Sequence, residues 1–350
     1  MKISLLAYGT RGDVQPFLGL AHALQSRGHT VRLAAPRNFE GWIRSAGISF
    51  VPFPIDTQEL FSREAAQRML AKGDIQSFFK WLAEIEKPLE GGLQNAVIGV
   101  SEDADLLVTH VLMEDRAAAV GAARKVPVIP VYFYPIPPSG DLPSPFITTR
   151  NLGFGMLNRL THKLLIDLLW KSARNDVAAM RKRLGAPPVN EPFTRQAKRR
   201  GLPVVLAYAD ALSPRPSDWN GNCHITGPIE LSEELRLSHE GERPERLARW
   251  IESKPQDPPV FLGFGSMPIL DPGPVLRAAR KALEATGTRG IVGAGWTSFG
   301  DVDDERLQIV PSVDHGWLFP RCRAAVHHGG AGTTHASLGA GLPTLVCSVF

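Results

Sequence analysis

Nine short runs in this 350-residue chain are rich in Val, Ile and Leu without regular alternation: residues 3–8, 30–34, 105–109, 126–131, 204–208, 260–264, 290–293, 324–327 and 343–347. A strand with one wet face alternates apolar and polar residues, whereas a strand covered on both faces does not. These runs therefore call for parallel sheets with helices on both sides. Helical stretches lie between them. Residues 14–27 place Phe17, Leu20, Ala21 and Leu24 at i, i+3, i+4 and i+7 before Gly28 stops the pattern. Alternating strand and helix predicts an α/β, doubly wound architecture.

The pattern starts twice. Residues 1–230 form a first unit. Residues 231–259 read as a charged, proline-bearing bridge with Glu233, Glu234, Arg236, Glu240, Glu242, Arg243 and Pro244. A second Rossmann-like unit is expected over 260–350, beginning with a strand and the turn Gly263-Phe264-Gly265-Ser266-Met267. That unit ends on an apolar run at Phe350 and is expected to be incomplete at its C-terminus. At 43% hydrophobic residues the chain has ample core-forming material, which excludes wholesale disorder. No run approaches the roughly 20 apolar residues of a spanning helix. The first residues, broken at Gly9, read as a buried strand rather than a signal peptide. Cys223, Cys322 and Cys347 are an odd, widely spaced set, against a disulfide framework or a cysteine zinc site and in keeping with a reducing cytosol. A net charge of +4 does not argue for nucleic acid.

The densest chemical signal is His327-His328-Gly329-Gly330-Ala331-Gly332-Thr333-Thr334, placed between a strand and a helix. Glycines let backbone amides approach an anion, and a helix N-terminus adds partial positive charge. This suits a diphosphate. No Gly-Lys-Ser/Thr follows, so it is not a Walker loop, and adjacent histidines on an extended segment diverge, so it is not a zinc pair. The turn at 263–267 is weaker. It lacks the third glycine of a dehydrogenase fingerprint because Pro268 stands there, and the turn Gly9-Thr10-Arg11-Gly12-Asp13 fails that fingerprint too.

Taken in order, the segments Gly9 to Pro16, Gly263 to Met267, Gly295-Trp296, Pro311 to Phe319 and His327 to Thr334 resemble the signatures of GT-B nucleotide-sugar glycosyltransferases. The likeness is to the sterol and lipid glucosyltransferases first, and to the glycopeptide-antibiotic glycosyltransferases next. It implies two Rossmann-like domains facing across a cleft. It also implies inverting transfer of a hexose, glucose from UDP-glucose, to a hydroxyl of a lipophilic acceptor such as a sterol, without metal or other cofactor. By position, the resemblance gives Gly12, Ser266, His328, Gly330, Gly332 and Thr333 to the donor. It gives the nucleobase edge to Ser312 and Val313, with Trp296 nearby. In the family an acidic–Gln pair follows the strand that ends here at Phe350.

Asp13 precedes Pro16 and reads either as a helix N-cap or as the general base. In plant relatives a histidine stands at that place and an aspartate ends the later strand. Here the later strand ends at His110, so the pair looks exchanged. Phe133, Tyr134 and Phe146 flank a loop with five prolines over 135–145 and are candidates for an apolar acceptor wall, or equally for core. Asp103-Ala104-Asp105 reads as solvated strand-entry acids. Residues 150–200 hold twelve Lys and Arg against three acids. Within them Leu157, Leu160, Leu164, Leu165, Leu168 and Leu169 form a stripe beside Arg159, Lys163, Lys171 and Arg174, which is either a solvated helix or a contact with anionic membrane. The expected location is cytoplasmic, with peripheral contact at the inner face of the membrane. Two rivals stand beside the glycosyltransferase: a sugar-nucleotide epimerase of the same fold class, and a catalytically idle lipid-surface binding protein.

Overall fold

The computed structural model describes residues 1–240, 245–266, 268–300 and 304–347. Met267, Glu242, Arg243, Pro244 and Phe350 lie outside the described residues. The chain divides into two units. One comprises residues 1–9, 13–55 and 79–230, and the other comprises 10–12, 56–78 and 231–350.

The first unit is built on seven parallel strands: β1 (Lys2–Leu6), β2 (Thr30–Pro36), β3 (Ser49–Phe53), β4 (Leu106–Thr109), β5 (Val128–Tyr132), β6 (Val204–Leu206) and β7 (Cys223–Ile225). Their order is β3-β2-β1-β4-β5-β6-β7. The order reverses between β1 and β4, which pair directly from Ile3↔Leu106 to Leu6↔Thr109. The second unit has β8 (Val260–Gly263), β9 (Gly290–Gly293), β10 (Leu307–Val310), β11 (Ala324–His327) and β12 (Thr344–Val346) in the order β10-β9-β8-β11-β12. Its reversal lies between β8 and β11, where His327 sits opposite Gly263. Open parallel sheets bind ligands outside the carboxyl ends of the strands at such reversals.

Three details differ from the sequence reading. Strands β3, β7 and β10 were not anticipated. The expected bridge over 231–259 is helical at Glu233–Glu240 and Glu245–Glu252, and Leu247 and Ile251 are buried in the second core with Phe261, Ile291 and Phe319. Arg289 holds the end of the Glu245–Glu252 helix. It donates to the carbonyls of Trp250 (2.6 Å), Ile251 (3.2 Å) and Lys254 (2.9 Å), at and just past the last turn, where helical carbonyls lose their ladder partners. Third, the leucine stripe splits across a 29-residue helix, Gly155–Arg183. Leu165 is buried and Leu169 packs beside it in the first core. Leu157, Leu160 and Leu164 face solvent.

That long helix is docked by a buried polar pair. Asp176 accepts from Arg116 Nε (2.7 Å) and Gln94 Nε2 (2.8 Å). Arg116 belongs to the helix Glu114–Arg124, which follows the His110 turn, so the pair fixes the scaffold behind that turn. Asp103 pairs with Lys2 (3.0 Å) and with Arg32, and Asp105 accepts from the Lys2 amide (2.7 Å). Both acids are used at the strand entry.

Candidate functional site

In the first sheet, Asp13 and His110 stand just past the ends of β1 and β4, at the reversal. His110 is set by the backbone. Its amide donates to Leu6 O (2.9 Å), and its carbonyl accepts from Met113 N (3.0 Å) as the chain turns toward the Glu114–Arg124 helix. Its ring is buried between Phe133, stacked at 5.9 Å and 23°, and Phe17, edge-on at 6.3 Å. Nε2 lies 3.2 Å from Asp13 Oδ1. The approach is close enough for an ion pair, but the ring is not aligned for a hydrogen bond, and Nδ1 has no hydrogen-bond partner among the described residues. Catalytic contacts are commonly loose before substrate binds and tighten with it.

Asp13 is not an N-cap. The helix runs Arg11–Gln25, so Asp13 lies within its first turn, where the amide dipoles favour a carboxylate. Its side chain keeps about a quarter of its exposure, so solvent and a small hydroxyl reach it.

The aromatic residues divide by role. Phe133 is buried against His110 and Phe17, and is core rather than an open wall. Tyr134 and Phe146 are half-buried and meet edge to face at 4.9 Å. Burial, and then the charges of Asp13 and Glu114, hold the Tyr134 phenol far above its ordinary proton affinity, so it stays neutral. Behind them the Glu114 carboxyl is hydrogen-bonded to Tyr132 Oη and Thr194 Oγ1, and Asp115 accepts from the Phe193 amide (2.6 Å). Burial raises Glu114 to about 8 and Asp115 to about 6. Sequence reasoning missed this acid pair. Its only signal was Glu-Asp placed directly after an apolar turn.

In the second sheet, the turn after β8 and the turn after β11 start side by side. The helix Ala331–Gly339 opens at Gly330, whose carbonyl accepts from Thr334 N (2.9 Å). The amides of Ala331, Gly332 and Thr333 therefore precede the ladder, as the first amides of any helix do. His328 packs against two glycines. A Cβ at Gly265, where φ is +60°, would fall 2.7 Å from its Cε1, and one at Gly330 would fall 2.4 Å from its Nε2. These glycines make room for an imidazole as much as for an anion. His328 Nδ1 is buried beside Gly263 with no aligned hydrogen bond among the described residues. Burial lowers its affinity for a proton, so the ring is neutral.

Ser266 and Trp296 are half-buried on the turns after β8 and β9. Ser312 is exposed after β10, while Val313 is buried in the second core. Thr333 is half-buried and Gly332 exposed on the helix Ala331–Gly339, and Gly12 lies in the first turn of Arg11–Gln25. One amide departs from expectation: Gly329 N–H donates to His327 Nδ1 (3.1 Å) and is not offered to a ligand. His315 stacks on Phe319 at 4.4 Å and 10°, and burial pushes it down to about 3. No group of three or more His, Cys, Asp or Glu is placed to hold a metal among the described residues.

Residues 3–109 match the glycosyltransferase family 28 N-terminal domain. A sterol 3-beta-glucosyltransferase of Arabidopsis thaliana is 32% identical over the whole of this chain, which spans 55% of that protein. An uncharacterized glycosyltransferase of Mycobacterium bovis is 31% identical, covering 99% of this chain and 81% of its own length. In three dimensions the chain resembles the Streptomyces sp. SF2575 glycosyltransferase SsfS6, solved with thymidine diphosphate, with a TM-score of 0.58 and 18% identity over 100% of this chain and 82% of that one. The two parallel-sheet units are those of a GT-B fold, and the chain belongs to the glycosyltransferases that carry a family 28 N-terminal domain.

Proposed function

We propose that the chain transfers glucose from UDP-glucose to the hydroxyl of a lipophilic acceptor, a sterol or similar lipid, with inversion and without a metal. The observation that carries this is the Asp13–His110 pair at the reversal of the first sheet. The names of the Arabidopsis relatives support glucose and sterol, and the thymidine diphosphate in SsfS6 supports a nucleoside diphosphate donor.

Asp13, backed by His110, takes the acceptor proton. The hydroxyl oxygen forms a bond to the anomeric carbon from the face opposite the diphosphate. The anomeric C–O bond breaks, and its electron pair leaves with the diphosphate. His328, Thr333, Ser266 and the first amides of the Ala331–Gly339 helix are the groups assigned to stabilise the departing diphosphate charge, a task preorganised donors do best in a dry site. Tyr134 and Phe146 offer the apolar wall for the acceptor, and Phe133 steadies the His110 ring behind it. The reading is tested by supplying UDP-glucose and a sterol and following the anomeric proton of the product by NMR. A β-glucoside supports it. An α-product, a free 2-epimer of the donor sugar or no transfer overturns it.

The exposed face of the Gly155–Arg183 helix favours a second element: contact with an anionic bilayer. Phe154 is 70% and Met156 79% exposed, and Leu157, Leu160 and Leu164 continue the same side. Lys171 and Arg174 are exposed farther along the helix, in a stretch where cations outnumber acids. An outward apolar face flanked by cations matches an interfacial helix and the surface in which a lipid acceptor resides.

A further inference from the structure

His327 is fully buried at the end of β11, and its two ring nitrogens are both engaged. Nδ1 faces the Gly329 amide (3.1 Å) and Nε2 faces Ser337 Oγ (3.3 Å). An amide can only donate, so Nδ1 carries no proton, and the single proton of the neutral ring sits on Nε2 and points at Ser337. Ser337 donates to Thr334 O (3.1 Å) and lies 3.1 Å from Thr344 Oγ1 on β12, whose one hydroxyl proton it shares with Leu342 O (3.0 Å). One imidazole thus ties the Gly329 turn to the interior of the Ala331–Gly339 helix and to the neighbouring strand. Burial and the nearby His328 keep it neutral.

We propose that His327 is a positioning residue for the donor diphosphate. By holding the Gly329 amide inward, at a Gly329 φ of +89°, it aims His328 and the following amides outward. The proposal rests on the donor reading of His328, Gly330, Gly332 and Thr333. It assigns His327 no contact with the ligand.

Two substitutions separate the acceptor atom from the bulk of the ring. His327→Leu keeps an apolar side chain of similar reach and removes the acceptor. His327→Asn places an oxygen where Nδ1 stands. Two readouts are taken: amide exchange at Gly329 by NMR, and calorimetric affinities for UDP and for uridine. A lost neutral hydrogen bond of about 1 kcal/mol corresponds to about a fivefold change. His327→Leu is expected to speed Gly329 exchange and weaken UDP by at least that factor, while uridine changes less than about twofold and His327→Asn stays close to wild type. Should Leu prevent folding, Asn carries the test alone, since it must still protect Gly329 and bind UDP. Unchanged Gly329 exchange in His327→Leu, or equal damage from Leu and Asn in a folded chain, overturns the proposal. Failure of the donor reading looks different: His328→Ala would leave UDP affinity unchanged, while Gly329 exchange still reported on His327.

Discussion

His110 Nε2 and Asp13 Oδ1 lie 3.2 Å apart although ninety-six residues of chain separate them. Each follows a strand of the first sheet, and those two strands are the ones between which the strand order reverses. The carboxylate is partly exposed and the imidazole is not. That asymmetry is what the proposed mechanism uses in assigning proton acceptance to Asp13 and support to His110.

Asp13→Asn therefore tests chemistry with little cost to folding. The carboxylate also favours the helix N-terminus, worth about 0.3–1 kcal/mol, so a drop of a few degrees in Tm is expected. The rate loss is expected to be far larger, about 10²–10⁴ in kcat, with UDP affinity unchanged. His110→Ala combined with it should be scarcely worse than the stronger single change, because residues acting as one unit are non-additive. Multiplicative losses would assign His110 an independent role, and near-normal turnover in Asp13→Asn would remove Asp13 as the base.

Donor binding should not need a divalent ion. UDP titrated by calorimetry with and without EDTA should give the same affinity within about twofold. A tenfold loss in EDTA, about 1.4 kcal/mol, would contradict metal-free binding.

The bilayer contact is tested on the apolar side chains first. Arg159 pairs with Asp218 (2.7 Å) and Lys163 with Asp167 (2.9 Å), so reversing those charges would also break intramolecular pairs. Met156→Asp with Leu160→Asp should abolish sedimentation with phosphatidylglycerol vesicles while leaving Tm unchanged. Lys171→Glu with Arg174→Glu should weaken it by about 1 kcal/mol per charge removed. Equal sedimentation of all variants, or none by the starting chain, would leave the face solvated.

Glu114 makes stability depend on pH in a defined direction. Its carboxyl stays protonated in the fold up to about 8, against about 4.3 in an unfolded chain. As pH rises between those values the unfolded chain loses the proton first, so stability falls. Asp115, raised to about 6, acts in the same sense. Glu114→Gln removes the larger part of this slope. Its Tm should match wild type near pH 4 and exceed it by at least about 2–4 °C at pH 8, the shift expected for 1 kcal/mol in a chain of a few hundred residues. A constant difference across that range would mean that Glu114 ionises normally.

The strands that sequence inspection overlooked share a position. β3, β7 and β10 are all at sheet edges. β3 carries Pro52, β7 is three residues with an exposed His224, and β10 interrupts its apolar run with Gln308. An edge strand is covered on fewer sides and tolerates such residues, so the continuous apolar signature of the central strands is missing. Asp13 and His110 were legible because each directly follows a core strand that has the signature. The roles of Phe133 and Gly329 were not legible. A buried phenylalanine and a wall-lining one look alike in sequence, and whether an amide turns inward depends on a histidine two residues back. The bridge at 231–259 misled because its charges are one face of two short helices whose other face is a few scattered apolar residues, Leu235 on the first and Leu247 and Ile251 on the second.

The glycines around His328 constrain how donor preference can change. A side chain at 265 or 330 would collide with the imidazole. Variation at these two positions would displace the histidine and so act on every nucleotide alike. On the proposed donor reading, selectivity among donors would instead change where side chains already project, at Ser266, Trp296, Ser312 and Thr333. A library aimed at a new sugar nucleotide would be built on those four and leave the glycines fixed.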